Sequence, residues 1–426
     1  MANQKIKIVC FGPGPKFKGG ISNYNTALAK ALDKRGDCEV HIVSWTNQYP
    51  SIIPREFVDK NSKIDFLEGT HIQVKYLTDY NKPWTWNATA NYITKLNPDL
   101  VIFQWAIAIQ GLPMGRIAKR LSKISQAEII FDLHFVIQKE GSKLDTRFTK
   151  MGIKHAHTYL AHAYKTVDEL KVLFPDRSFT VNETGLRNKN TVIKLYHPIY
   201  DLFQPDPDFD PETFKSKHGL KKNVFLFFGF IRKYKGLHHA LRAFKLVSDQ
   251  REDVSLLICG ESFWQTLDNK KWSTKIKNGL FKLAKAIFLS NKEDEKDYRP
   301  LELIKQLGLE DRTMVVNKFV PNEEVNQYFQ VSDAVVLFYE YATPSGIESL
   351  SYNFKKPLLA TKVGHFPETI EHGYNGYLAE PENIDDMANQ MLIYLDNPLP
   401  PENVVMKTVD MSWENYADAI LKGIKK

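Results

Sequence analysis

Residues 223–247 read NVFLFFGFIRKYKGLHHALRAFKLV, and this stretch decides the fold class. The run Asn223–Phe228 is almost wholly apolar, as expected of a strand that is covered on both faces of a parallel sheet. A short loop follows, bounded by Gly229 and Gly236, and the apolar residues of Leu237–Val247 then recur at helical spacing. A buried strand, a tight loop and an amphipathic helix predict one repeat of a doubly wound α/β sheet.

The same alternation extends in both directions along the chain. In the first half we predict strands near Lys5–Phe11, Glu39–Ser44, Leu100–Gln104, Glu128–Leu133, Thr158–Ala161 and Val192–Leu195. In the second half we predict further strands at Val254–Cys259, Ala334–Phe338 and Pro357–Thr361, and helices at Glu323–Phe329 and Ile384–Leu395. Two series of strands and helices predict two Rossmann-like, doubly wound α/β domains.

The domain boundary is predicted near His197–Pro211, where four prolines lie among aspartates. We therefore expect an N-terminal Rossmann-like domain at 1–200 and a C-terminal Rossmann-like domain at 201–408. The amphipathic segment Trp413–Ile424 predicts a final helix within residues 409–426.

Composition excludes several classes of protein. The chain has 426 residues, 43% of them hydrophobic and 25% charged, which is a globular balance. No apolar run approaches the roughly 20 residues that a membrane span needs. The three cysteines lie far apart without a CxxC pair, so a zinc knuckle is not expected and a cytoplasmic location is the simplest interpretation. A net charge of +7 suits an anionic small ligand or a membrane surface, and we predict no nucleic-acid partner.

One segment, 270–289, breaks the alternation. It carries six lysines, no acidic residue and an apolar stripe at helical spacing. A basic amphipathic helix can lie in an anionic membrane interface, which would attach the protein peripherally to the inner face of a membrane. The alternative is a surface helix that packs on its own domain.

Candidate ligand-binding residues follow the predicted strands. Gly19 and Gly20 stand at the start of a helix, where exposed backbone N–H groups and the helix dipole favour an anion. His134 directly follows the strand Glu128–Leu133, where it can serve catalysis or simply cap and pack the strand end. Arg232 and Lys235 stand three residues apart beside a strand end, and two cations held there can bind a diphosphate.

A second anion site is expected after the strand Ala334–Phe338. The sequence Pro344-Ser345-Gly346 predicts the start of a helix, and Glu340 and Glu348 lie eight residues apart around it. A carboxylate can accept hydrogen bonds from sugar hydroxyls. Glu348 is equally typical of an acidic residue in a first helical turn, where the helix dipole favours it.

Together these motifs resemble retaining glycosyltransferase family 4. The resemblance extends over nearly the whole chain and lies in the strings Gly19–Tyr24, His134, Phe228–Leu237, Pro357–Glu368 and Glu371–Leu378. It implies the GT-B architecture, in which two Rossmann-like domains face each other across a cleft. On this resemblance, 1–200 would be the acceptor-side domain, 201–408 the nucleotide-sugar-binding domain, and 409–426 a C-terminal helix that packs back on the N-terminal domain. The resemblance also implies transfer of a sugar from a nucleotide-sugar, with retention at the anomeric carbon and with no metal or other cofactor.

The resemblance assigns a role to each matching residue. Gly19 and Gly20 would line the loop at the donor phosphates, and His134 would contact the transferred sugar. Arg232 and Lys235 would hold the diphosphate, and Glu340 would bind the sugar hydroxyls. Backbone N–H groups would come from Thr343, Ser345 and Gly346. For the ribose contact, the eight-residue spacing points to Glu348, whereas counting back from Pro357 points to Leu350.

The expected function is transfer of a hexose from a UDP-sugar, or alternatively a GDP-sugar, to a glycan or lipid-linked acceptor in surface polysaccharide synthesis. A nucleotide-sugar epimerase of the same architecture and a non-catalytic nucleotide-sugar-binding subunit are the two alternatives. Transfer to an acceptor, or hydrolysis of the donor, would separate them.

Overall fold

The computed structural model describes residues 5–51, 57–60, 62–137, 143–188, 190–262, 298–344 and 346–424. The described chain divides into two compact units. The first contains residues up to Pro198 and again from Met411, and the second contains residues from Ile199 to Asp410. Ser345 and the lysine-rich segment 270–289 lie outside the described residues.

The first unit is built on one sheet of eight strands, in which every pairing is parallel. The strands are β1 (Ile6–Phe11), β2 (Cys38–Asn47), β3 (Gln73–Asp79), β4 (Leu100–Trp105), β5 (Glu128–Leu133), β6 (Thr158–Ala161), β7 (Thr180–Asn182) and β8 (Thr191–Lys194). Their order is β3-β2-β1-β4-β5-β6-β8-β7. The connecting helices are α1 (Gly20–Lys34), α2 (Pro83–Leu96), α3 (Gly111–Ile124), α4 (Lys143–Ile153) and α5 (Tyr164–Leu173).

The second unit repeats this plan with six parallel strands. The strands are β9 (Asn223–Phe228), β10 (Val254–Cys259), β11 (Thr313–Val316), β12 (Ala334–Leu337), β13 (Leu358–Thr361) and β14 (Gly376–Ala379). The helices are α6 (Pro211–His218), α7 (Leu237–Ser248), α8 (Glu302–Gln306), α9 (Val325–Val331), α10 (Gly346–Asn353), α11 (Phe366–Thr369), α12 (Ile384–Asp396) and α13 (Pro401–Lys407). The strand order β11-β10-β9-β12-β13-β14 is the Rossmann order.

The last helix, α14 (Trp413–Lys422), belongs to the first unit. Its Trp413 ring packs on Tyr24 of α1, with ring centroids 5.0 Å apart. Ser412 caps the helix by accepting a hydrogen bond from the Asn415 N–H, which fixes where it begins. Two parallel-sheet Rossmann-like units and a C-terminal helix that packs on the first unit confirm the fold class expected from the sequence.

The central strands were predictable because their side chains are buried on both faces of each sheet; β4 is buried at all six positions. The short or outer strands β3, β7, β11 and β14 were not predicted. β3, β7 and β11 are partly exposed at the sheet margins and mix polar with apolar residues, which weakens the strand pattern. The helix expected at Glu323–Phe329 instead opens with a 3₁₀ turn at Asn322–Glu324 and continues as α9.

A membrane span would require a long apolar helix. Among the described residues, no helix is both long and apolar enough to cross a bilayer.

Candidate functional site

The loop between β9 and α7 holds the most unusual charge of the second unit. Gly229 has a φ of 97°, and a Cβ built on it would lie 2.9 Å from Lys235 Nζ. On the other side, a Cβ on Gly260 would lie 1.8 Å from the carbonyl oxygen of Gly229. Both positions therefore require glycine, because the backbone and the ammonium group of Lys235 pack directly against them.

Lys235 ends a 3₁₀ turn at Lys233–Lys235, and Gly236, with a φ of 65°, leads into α7. The side chain of Lys235 is 8% exposed. Burial, and then repulsion from Arg232, lower the pKa of Lys235 to about 8. Within the described residues, no carboxylate forms an ion pair with Lys235 Nζ, so a nearly buried cation faces the loop without a balancing charge.

Glu340 lies beside this loop because its backbone N–H donates to the carbonyl oxygen of Tyr234, 2.8 Å away. Its Oε1 lies 3.4 Å from His238 Nε2 and 3.5 Å from His239 Nε2. Burial, and then the neighbouring His239 and two cations, lower the pKa of His238 to about 3. Sequence reasoning missed both histidines, although they stand in the first turn of the helix that follows Gly236.

The second predicted anion site lies at the start of α10. Gly346 is the first residue of the helix, and a Cβ on it would lie 2.6 Å from the ring of Tyr200. Thr343 is half-buried in the preceding loop, and Ser345 lies outside the described residues. The structure thus places Glu340 and Thr343 in the connection between β12 and α10, and Gly346 at the first position of α10.

The carboxylate of Glu348 is hydrogen-bonded to other residues of the second unit. Its side chain is buried, and its carboxylate accepts hydrogen bonds from the Tyr352 hydroxyl at 3.2 Å, from His365 Nε2 and from the Thr369 hydroxyl. These contacts join α10 to both ends of the short helix α11, since His365 directly precedes that helix and Thr369 ends it. Leu350, the alternative by sequence counting, is also buried, and its apolar side chain offers a sugar no hydrogen bond.

In the first unit, the glycine-rich loop after β1 is tied down by short hydrogen bonds. The Ser22 hydroxyl donates to the Gly14 carbonyl oxygen at 2.6 Å, and the Gly14 N–H donates to Ser44 Oγ at 2.7 Å. Gly19 has a φ of 103°, and α1 begins at Gly20. A Cβ on Gly19 would meet no atom of the described residues within 4 Å, so its backbone conformation is what requires glycine.

His134 follows β5, as predicted, and its side chain is buried. Its Nε2 lies 2.9 Å from Gln104 Oε1, and its ring packs edge-on against Tyr24 with centroids 4.6 Å apart. Burial lowers the pKa of His134 to about 4, with Asp132 opposing this shift and His162 adding to it. At neutral pH the ring is therefore uncharged.

Three residues that the sequence analysis did not single out surround His134. His162 Nε2 lies 2.8 Å from Asp132 Oδ1, and the ring of His197 lies 5.1 Å from that of His162. We call Asp132, His134, His162, His197 and Tyr24 the histidine cluster. The available signal was positional: His162 directly follows β6 and His197 closely follows β8, so both lie at the same sheet edge as His134.

Two groups of side chains in the described residues have the composition and spacing of metal ligands. One is Asp132, His134 and His162, and the other is His238, His239 and Glu340, each with its ligand atoms within 4.8 Å of one another. In the first group, the 2.8 Å contact between Asp132 and His162 is an ordinary hydrogen bond. The second group contains no hydrogen bond this short.

Part of the chain is similar in sequence to known glycosyltransferases. Residues 208–409 match the sequence profile of the family described as glycosyl transferases group 1. N-acetyl-alpha-D-glucosaminyl L-malate synthase of Bacillus anthracis is 27% identical over 116 residues, which are 27% of this chain and 30% of that protein. The alignment with this curated relative thus spans less than a third of its length.

Solved structures resemble nearly the whole chain. Anabaena HepE in complex with UDP has a TM-score of 0.64 and 17% identity, with 98% of each chain covered. Sucrose-phosphate synthase from Thermosynechococcus elongatus has a TM-score of 0.64 and 15% identity, with 97% of this chain and 96% of that chain covered. At this identity the likeness shows the fold, which is the GT-B architecture of two Rossmann-like domains. The segment that matches the glycosyl transferases group 1 profile, residues 208–409, carries Arg232, Lys235 and Glu340.

Proposed function

We propose that this protein is a retaining glycosyltransferase of family 4 that moves a sugar from a UDP-sugar to a glycan or lipid-linked acceptor in surface polysaccharide synthesis. One observation carries the proposal: Lys235 is a nearly buried cation with no carboxylate partner in the described residues, beside Arg232 and after a parallel strand. An anionic ligand such as a diphosphate would supply the missing charge.

In the proposed reaction, Arg232 and Lys235 hold the donor diphosphate and neutralise the charge that develops as its bond to the sugar breaks. Glu340 accepts hydrogen bonds from sugar hydroxyls and orients the ring. The acceptor oxygen forms its bond to the anomeric carbon on the face that the diphosphate leaves. The acceptor's proton passes to the departing phosphate oxygen, so that atoms and charges balance without a separate protein base.

The choice of UDP rests on the structural neighbours. HepE has been crystallised with UDP and with UDP-glucose. A thermal-shift panel of UDP-sugars and GDP-sugars tests the choice directly. A ligand present at 100 times its dissociation constant adds about 2.7 kcal/mol to the free energy of unfolding, so the true donor should raise the melting temperature clearly. Stabilisation by GDP-sugars alone would contradict the proposal that the donor carries uracil as its nucleotide base.

Product analysis separates the proposal from its alternatives. With the stabilising donor and an acceptor extract, a transferase releases UDP and forms a new glycosidic bond of retained configuration. An epimerase would instead convert the donor sugar with no acceptor and no UDP release. A non-catalytic subunit would bind the donor and change nothing, and either of these results would overturn the proposal.

A lipid-linked acceptor would require access to a membrane surface, which the basic amphipathic segment 270–289 would provide. The six lysines of 270–289 should each contribute about 1 kcal/mol near an anionic surface. We expect co-sedimentation with anionic vesicles that is lost at high salt and in a variant with Lys275, Lys277, Lys282 and Lys285 changed to Glu. Equal binding to neutral vesicles would show that the segment does not act through its charge.

A further inference from the structure

The three side chains His238, His239 and Glu340 lie too far apart for hydrogen bonds and at a suitable distance for sharing a metal ion. The two Nε2 atoms lie 3.4 and 3.5 Å from the same carboxylate oxygen, Glu340 Oε1. An N–H···O hydrogen bond would normally be about 2.7–3.2 Å long. Ligand atoms at bonds of about 2.0–2.1 Å around a tetrahedral zinc ion lie about 3.3–3.4 Å apart, which matches the observed separations.

His239 adds an independent observation. Within the described residues, neither of its ring nitrogens has a hydrogen-bond partner, although both are buried. An unpaired polar group inside a protein is costly, and each such group requires an explanation. A metal ion bound to Nε2 would satisfy one of the two nitrogens directly.

His238 is held in the orientation that a metal ligand needs. Its Nδ1 lies 2.9 Å from the Tyr298 hydroxyl, which also accepts the backbone N–H of His238 at 3.3 Å. Metal-binding histidines nearly always use their second ring nitrogen in such an outer contact, which fixes the ring and directs the other nitrogen to the metal. Here the nitrogen left for the metal is Nε2, the atom nearest Glu340.

The surrounding charges are mixed. Lys233 and Arg242 act on both histidines and disfavour a cation, whereas Glu382 acts on His239 and favours one. The site therefore suits a strongly coordinating ion better than a weak one. Imidazole nitrogens with a single carboxylate are typical ligands of zinc and the neighbouring transition metals rather than of magnesium or calcium.

We propose that His238, His239 and Glu340 form a binding site for a zinc-class divalent ion, with the fourth position open to water. The site does not include Arg232 and Lys235, the cations proposed to bind the diphosphate, but it uses Glu340 as a ligand. On the function proposed above, which assigns Glu340 to the donor sugar, an ion bound here competes with the donor and inhibits transfer.

The first experiment measures metal binding alone, on the full chain stripped of metal and free of any affinity tag. Zinc competition against a chromophoric chelator should show one tight site in the wild type. His239→Gln should weaken that site at least tenfold, and Tyr298→Phe, which removes only the outer contact, should weaken it about tenfold. His71→Ala is the matched control, since His71 is an exposed histidine of the first unit, and it should bind zinc as the wild type does.

Cobalt provides a second readout that reports geometry. Bound Co²⁺ should give the strong visible absorption of a four-coordinate site, and His239→Gln should abolish it. Thermal unfolding of each metal-free variant checks that it is folded. Wild-type zinc affinity in His239→Gln, or only the weak spectrum of six-coordinate Co²⁺, would overturn the proposed site.

Inhibition is measured separately. Each protein's rate of UDP release with Zn²⁺ is divided by its own metal-free rate, so that a change in basal activity cancels. The wild type should lose at least tenfold of its activity at saturating zinc, and His239→Gln should need at least tenfold more zinc for the same loss. If zinc binds but does not inhibit, the metal site stands and the role of Glu340 in donor binding is contradicted.

Discussion

The first six strands of the first unit have the same order as the six strands of the second unit, but the two units use the same edge of the sheet differently. In the first unit, the ends of β5 and β6 carry His134 and His162 of the histidine cluster, where His134 pairs with Gln104 and His162 pairs with Asp132. In the second unit, the end of β9 carries Lys235, which has no carboxylate partner in the described residues, against two closely packed glycines. The common topology brings polar residues to this edge, but the local pairing differs: the Asp132 carboxylate has His162 as a partner, whereas Lys235 has no carboxylate partner among the described residues.

The largest expected effect concerns Arg232 and Lys235, the two cations in the loop after β9 of the second unit. Lys235→Ala and Arg232→Ala should each lower turnover by about 10²–10³, the usual loss when one preorganised stabiliser of developing charge is removed. Lys245→Ala is the matched control, because Lys245 lies on the solvent side of α7 and pairs with Asp249. Steady-state UDP release measures the effect. Normal turnover in both loop variants would show that neither Arg232 nor Lys235 takes part in the reaction.

The next prediction separates the paired glutamates. Glu340→Gln should weaken donor binding by about 10–150-fold, the equivalent of about 1.5–3 kcal/mol for a hydrogen bond to a charged group, with little change in stability. Glu348→Gln should do the opposite and lower the free energy of unfolding by about 1.5–3 kcal/mol, because Glu348 accepts three hydrogen bonds inside the unit. Calorimetry and thermal unfolding on both variants measure this, and a donor affinity that collapses only in Glu348→Gln would reverse the assignment.

A smaller effect should appear at alkaline pH. The free protein holds Lys235 at a pKa of about 8, and a bound diphosphate favours the charged ammonium. Donor affinity should therefore be highest below pH 8. Above pH 8 it should fall by up to about tenfold per pH unit, because binding must then take up a proton. Lys235→Arg keeps its charge to a pH above 12. If the donor affinity of Lys235→Arg falls at alkaline pH as it does in the wild type, a group other than Lys235 causes the loss.

The smallest effect on donor binding is expected in the first unit. His134→Ala should impair transfer but leave the affinity for UDP nearly unchanged, since His134 and the cationic loop belong to different units. It should also lower the free energy of unfolding by about 1–3 kcal/mol, because the Gln104 amide loses its partner. Calorimetry with UDP measures the first result, and a collapse of UDP affinity would place His134 at the nucleotide.

The sequence was informative where the signal is local. The apolar strands, the glycine-bounded loop after β9 and the start of α10 at Gly346 all depend on residues close together in the chain. The sequence predicted Arg232 and Lys235 as candidates for this reason, since a strand, a loop and a helix in succession place their cations at the sheet edge. The exposed margins of the sheets were missed because half-buried strands carry a weaker pattern.

What the sequence by itself determined is the order of strands and helices and the cations of one loop. Only the tertiary structure decided which distant residues meet. Glu340 contacts His238 and His239 about a hundred positions earlier because β12 lies beside β9 in the sheet. His134 and His162 are neighbours because β5 pairs with β6. Such pairs follow from strand order and register, which depend on the packing of the whole sheet rather than on any local pattern.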